Sequence, residues 1–178
     1  MAFSVVLEDE ARTVCRLVLF TKVENAGQVR KLILAGEVEA SLIKPQMVVA
    51  PFQVVVAANR AVRAQALGKM ATRSLYTEVI FNLSTKKNIT NALKTFGLGD
   101  EDKEVLAVVL GTEEEVEARV TKITQQISGK VVATSELASL TQEAQVRELY
   151  KVTPEELTAG SLLDAVVSRM ACRDFLVL

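Results

Sequence analysis

Two cations, Lys69 and Arg73, stand four residues apart immediately after Gly68. A glycine readily takes the left-handed conformation that ends a helix, so both cations fall on the approach to a following helix. There an ammonium, a guanidinium and free backbone amides can together hold a phosphate. On a helix advancing about 100° per residue, Gln53, Asn59, Arg60 and Arg63 form one polar stripe expected to face solvent. Phe52, Val55, Val56 and Val62 lie away from it. These cations belong to a wider bias. From Ala40 through Gly99 there are eight Lys/Arg residues and one acid, Glu78, a net charge of +7, while the rest of the chain carries −8 behind an overall −1. Such segregation points to a basic surface with an anionic partner, and an ordinary solvated cationic face is the alternative reading. Aromatic interleaving is thin, with Phe52, Tyr76 and Phe81 nearby, so a short nucleic-acid contact fits better than extensive base stacking.

Other chemistries are poorly served. The chain has no histidine, which removes histidine triads and histidine metal sites. Cys15 and Cys172 are far apart among apolar residues, which reads as two buried free thiols rather than a zinc or redox motif. Gly97-Leu98-Gly99 opens a dinucleotide fingerprint whose third glycine would be Asp102. The acids Asp100, Glu101, Asp102 and Glu104 lack the glycine and ligand alternation of a calcium loop and read as solvated. Glu113, Glu114, Glu115 and Glu117 sit where a helix dipole favours negative charge without any catalytic role. Serine or cysteine nucleophiles would need a lysine or carboxylate base, and no spacing supplies one. No pattern makes a case for an enzyme, a metal or a cofactor.

The elements that must position the basic residues are legible from periodicity. The chain of 178 residues is 49% apolar and 24% charged, enough for one domain with a sizeable core. Val14 to Phe20 and Val105 to Leu110 read as buried strands, with smaller strands around Val38 to Ile43 and Val131 to Ala133. Asn25 is placed to cap a helix ending at Gly36. Pro51 suits the first turn of the longest, central helix, which runs to Leu67. Leu75 to Leu83 and Ile89 to Phe96 repeat at helical spacing. Thr112 and Glu115 have capping-box spacing for a solvated helix to about Ile127, and Thr141 opens another through Tyr150. Thr153 to Glu156 starts the last helical segment, which Gly160 breaks before Leu162 to Cys172. The expected fold is a single mixed α/β domain over residues 1–178, a small sheet packed by several helices, with helix predominant. The charged N-terminus and the 15-residue limit on uncharged stretches predict an intracellular protein with no membrane span, and the cytoplasm and nucleus are the expected compartments.

The stretch Leu162 to Cys172 is the second feature of interest. Leu162, Leu163, Ala165, Val166, Val167, Met170 and Ala171 cover more than one helical stripe. A helix apolar nearly all round is central in its own fold or pressed against a partner, and its terminal position keeps both readings open. Without its partner such a helix can pair with a second copy of itself.

Several segments in order resemble one family: Pro51 to Ala61 (PFQVVVAANRA), Leu67 to Arg73 (LGKMATR), Thr77 to Ser84 (TEVIFNLS), Ala92 to Gly97 (ALKTFG), Leu162 to Met170 (LLDAVVSRM) and Asn25-Ala26-Gly27. They look like the TPRKB family, also called the CGI subunit family, and the likeness spans nearly the whole chain. The resemblance implies a non-catalytic subunit of the EKC/KEOPS assembly, which installs threonylcarbamoyl on adenosine beside the anticodon of certain tRNAs. It implies binding to a PRPK-type atypical kinase, contact with the other subunits through that kinase, and engagement of the tRNA 3′ CCA end. Kinase contact is then expected at Leu162, Val166, Val167, Arg169 and Met170. For tRNA, the segment from Lys69 to Asn82 is the matching motif. Lys69 and Arg73 would meet phosphate, Leu75 would offer an apolar base contact, and Arg60 and Arg63 are secondary candidates on charge alone. The competing reading is a pure protein-interaction module that positions or activates the kinase without touching tRNA.

Overall fold

The computed structural model describes residues 2–175 and is a mixed α/β fold in which helix predominates. Its centre is two apolar strands, β2 (Val14–Thr21) and β4 (Val105–Gly111), paired antiparallel with Leu17 opposite Val108. Both are buried on both faces, which is why they read as continuous apolar runs rather than alternating ones. β3 (Ser41–Ile43) pairs with the far side of β4. β1 (Phe3–Val6) and β5 (Lys130–Val132) share the outer edge of β2, end to end, and every pairing is antiparallel. Side chains alternate across the sheet and so build two cores. Cys15, Leu17, Leu19, Leu106, Val108 and Leu110 feed one, and Val14, Val18, Phe20, Val105, Ala107 and Val109 feed the other.

The second core is closed by α1 (Ala26–Leu34) and α5 (Glu113–Gln126). The first is closed by α2 (Pro51–Ala66), α3 (Leu75–Leu83), α4 (Ile89–Phe96), α6 (Leu137–Leu140), α7 (Glu143–Tyr150) and α9 (Leu162–Cys172). The single turn α8 (Glu156–Ala159) leads into α9. No helix among the described residues is long and apolar enough to cross a membrane.

Several local expectations hold in detail. Thr112 and Glu115 form the reciprocal capping box of α5, and Gly36 ends the α1 turn at a φ of 75°. Others are corrected. Asn25 stands at the start of α1, but its side chain makes no cap; it donates to Gln126 O at 2.8 Å and accepts from the Ser128 amide, stitching the α5–β5 turn to the chain's other half. The helix predicted from Thr141 begins at Glu143, because the Thr141 hydroxyl is engaged with the carbonyls of Val48 and Leu137. β1 is short, half exposed and absent from the sequence reading. Cys15 is buried as expected, whereas Cys172 is exposed on the last turn of α9.

The solvent-facing stripe of α2 is also corrected. Gln53 is fully buried, and its amide accepts from the Val49 N–H at 2.8 Å and donates to Met47 O and the Tyr150 hydroxyl. Phe52, assigned to the inner face, is 54% exposed. The reason is that α2 is covered on two sides, by α3 and α9, and at its start by the 45–49 turn. A single polar stripe cannot describe a helix with two packed faces.

Candidate functional site

The basic residues after α2 sit on a loop whose ends are fixed by local chemistry. At the end of α2 the Gly68 N–H bonds Gln65 O and the Lys69 N–H bonds Ala64 O, the paired bonds of a Schellman motif, with Gly68 at a φ of 63°. Ser74 closes the loop by capping α3, its hydroxyl accepting from the Thr77 amide at 3.1 Å. From the first turn of α3, Glu78, the one acid of the basic segment and only 3% exposed, reaches back to the backbone between these anchors. Its carboxylate accepts from the amides of Ala71 (3.2 Å) and Thr72 (2.8 Å) and from the Thr72 hydroxyl (2.7 Å). The amides expected to receive a phosphate are therefore already held by the chain's own carboxylate. The anion-binding capacity rests on the side chains of Lys69 and Arg73, both exposed and neither in an ion pair among the described residues.

Arg73 and Leu75 border a groove of about 1360 Å³ along the β3 edge of the sheet, between α1, α2, α3, α4 and α5. Its walls are largely apolar, with Leu42, Leu75, Ile80 and Leu93 contributing. Lys44 and Lys94 add positive charge, the Lys44 ammonium donating to Lys94 O at 3.2 Å. Two further arginines reach the groove from outside the basic segment but are neutralised, Arg30 by Asp100 at 3.0 Å and Arg119 by Glu39 at 2.8 Å. Nothing in the linear sequence marks them, since their partners are 70 and 80 residues away. Tyr76 lines the same groove with its hydroxyl on Leu110 O, and burial pushes its phenol up to about 12, so it acts there as a neutral group. An apolar trough with cations at its rim has the chemistry to take a flat apolar group inside and an anion outside.

The structure places Arg73 and Leu75 on the rim of one groove and Lys69 exposed at the start of the same loop, with Arg63 exposed one turn before the end of α2. It assigns other work to two candidates. Arg60 donates to Met170 O and pairs with Asp174 at 2.9 Å, so it ties α2 to the end of α9. Asn82 is 3% exposed, donating to Ala57 O at 3.3 Å and accepting from Arg173 at 3.0 Å, and offers nothing to a ligand.

On α9, Val166 and Met170 are completely buried within this chain's first core, and Leu162 packs against it. Arg169 donates to Lys151 O and pairs with Glu156 at 2.8 Å, fixing α8 against α9. Ser161 and Asp164 form the capping box that starts the helix. The outward face is instead carried by Leu163, Val167 and Ala171, spaced one turn apart and half-buried to exposed. One stripe of the helix is therefore core, and a second is left half-buried to exposed.

The family described as "Kinase binding protein CGI-121" matches residues 20–174. A Danio rerio protein named EKC/KEOPS complex subunit TPRKB is 44% identical over 156 residues, which cover 88% of this chain and 89% of that protein. The EKC/KEOPS complex subunit CGI121 of Yarrowia lipolytica is 33% identical over 94 residues, covering 52% and 56% of the two chains. That of Coccidioides immitis is 28% identical over 141 residues, covering 75% and 67%.

Proposed function

The chain belongs to the CGI-121 family of kinase-binding proteins, and from that membership we propose that it is a non-catalytic subunit of an EKC/KEOPS assembly with two faces. One face, the outward stripe of α9 at Leu163 and Val167, docks a PRPK-type atypical kinase. The other, the loop carrying Lys69 and Arg73 with the adjoining groove, helps recruit tRNA through its 3′ CCA end for threonylcarbamoyladenosine modification.

The observation that carries the tRNA half is the loop itself. Two exposed cations without ion pairs among the described residues stand on a segment pinned at both ends, and one of them borders an apolar groove. The kinase half is supported by apolar side chains left outside on a helix whose inner stripe is already satisfied.

A bridging assay tests both faces at once. Kinase is immobilised and labelled tRNA is added with or without this protein. The proposal expects tRNA retention to depend on the protein, and K69A/R73A to lose tRNA while staying on the kinase. Val167→Glu is expected to weaken kinase capture by about tenfold or more, as a charge placed in an interface centre does. Kinase capture unchanged by Val167→Glu would remove the proposed docking stripe. Kinase capture with no tRNA retention would favour the pure interaction-module reading.

A further inference from the structure

We propose that Glu78 is a positioning residue of the RNA-binding loop, holding Lys69 and Arg73 at a fixed spacing by binding the backbone between them. The inference rests on the tRNA reading of that loop. In a stretch of sixty residues with eight cations, one acid remains, and the fold buries it to 3% exposure. Burying a carboxylate is costly unless hydrogen bonds replace its water. Here the replacement comes wholly from the loop. One oxygen accepts from the Ala71 amide, and the other accepts from the Thr72 amide and hydroxyl. Glu78 makes no ion pair among the described residues. Its acceptors are spent on the two residues at the centre of the loop, which lie between Lys69 and Arg73.

The geometry also explains why an acid is tolerated inside a basic segment. Pointed at solvent, it would repel a phosphate and neutralise its neighbours. Turned inward, it fixes the backbone midway between the Schellman anchor at Lys69 and the Ser74 cap. A loop held at three points presents its cations with less ordering left to pay at binding.

The test turns on a sign. Replacing Glu78 by Gln keeps its shape and removes a negative charge near a polyanion site, so Coulomb attraction alone predicts tighter binding. Positioning predicts the reverse, because one amide oxygen and an NH2 cannot accept what the carboxylate accepts. The assay uses the full chain and a labelled tRNA transcript ending in CCA, across a salt series, with circular dichroism and thermal unfolding as the folding control. The expected result for E78Q is binding weakened by about three- to tenfold, the scale of ordering one or two long side chains. Its salt slope should fall by about one phosphate contact. Thr72→Val, which removes one of the three bonds and no charge, should weaken binding in the same direction and carries the test if E78Q fails to fold. The loss from E78Q should be less than additive with Lys69→Ala and with Arg73→Ala, since Glu78 acts through both cations.

Equal or tighter binding by folded E78Q overturns the inference, as does strict additivity with both Lys69→Ala and Arg73→Ala, which would mean that Glu78 acts through neither cation. If K69A/R73A loses binding and both E78Q and T72V keep it, this inference falls and the tRNA reading stands. If the wild-type protein does not bind the transcript even at low salt, the tRNA reading falls and takes the inference with it.

Discussion

Whether a cation is available to a ligand depends on what its own chain has already placed against it. Arg60 and Arg63 lie one turn apart on α2, yet Arg60 is spent on Met170 O and Asp174 while Arg63 is free of ion pairs among the described residues. Arg60→Ala is therefore expected to leave the salt dependence of RNA binding unchanged and to cost about 1–2 kcal/mol in urea unfolding, the scale of a part-buried hydrogen bond made by a charged group. Arg173 is a second case. It lies over the Phe81 ring at 4.3 Å and donates to Phe81 O and Asn82, and burial lowers its pKa from the usual arginine value. The two cysteines divide in the same way. Burial pushes the Cys15 thiol up to about 12, and Cys172 is exposed. A thiol reagent should modify Cys172 promptly in the native protein and Cys15 only after denaturation, and mass spectrometry of the labelled peptides checks it. Rapid native labelling of Cys15 would contradict the placement of β2. At this scale the sequence is least informative. Charge and polarity can be read at each position, but the partners of Arg60 are 110 and 114 residues away.

Elements were more legible, and where they were not the cause is packing on more than one side. β2, β4, α5 and α9 are readable because each depends on local signals, a continuous apolar run or a capping box followed by a periodic stripe. β1 carries too short a pattern, and α2 obeys its periodicity but hides a polar residue in the second packed face. Gln53→Leu tests that assignment: it takes the Gln53 partner from the Val49 amide and Met47 O, while the Tyr150 hydroxyl still donates to Leu83 O, and should cost about 1–3 kcal/mol in urea unfolding. No loss would mean that Gln53 is not buried as described. The start of the C-terminal helices depends on carboxylates. The Ser161 hydroxyl and amide hold Asp164 below the usual aspartate range, and the Thr153 amide and Arg169 do the same for Glu156. A carboxylate whose folded pKa lies below its unfolded one stabilises fully above the unfolded value, about 4, and that contribution is lost as pH falls through the lower folded value. Amide exchange, corrected for its intrinsic rate, should therefore show α8 and α9 losing protection below about pH 4 before β2 and β4 do. Simultaneous loss across all four would contradict a local role for these caps.

At the scale of the whole molecule, the near-zero net charge conceals a +7 segment and a −8 remainder, and the fold keeps them partly apart. The acidic α5 lies on the second core, with Glu113 and Glu117 pairing to Arg16 from β2. The loop at Lys69 and Arg73 joins α2 to α3 over the first core, which α9 also closes. α3 links the two proposed faces: Glu78 in its first turn holds the basic loop, and Phe81 and Asn82 in its last turn hold Arg173 at the end of α9. The segregation was legible in the sequence, and so was the apolar C-terminal helix. The groove was not, because it is assembled from five helices and a sheet edge that no linear pattern joins. The most direct measurement is the binding of labelled tRNA, with and without its CCA end, to the isolated protein and to K69A/R73A across a salt series. The account predicts CCA-dependent binding that falls steeply with salt, through release of counterions, and that the folded variant loses. Binding by K69A/R73A with the same affinity and the same salt slope as the wild type would contradict it.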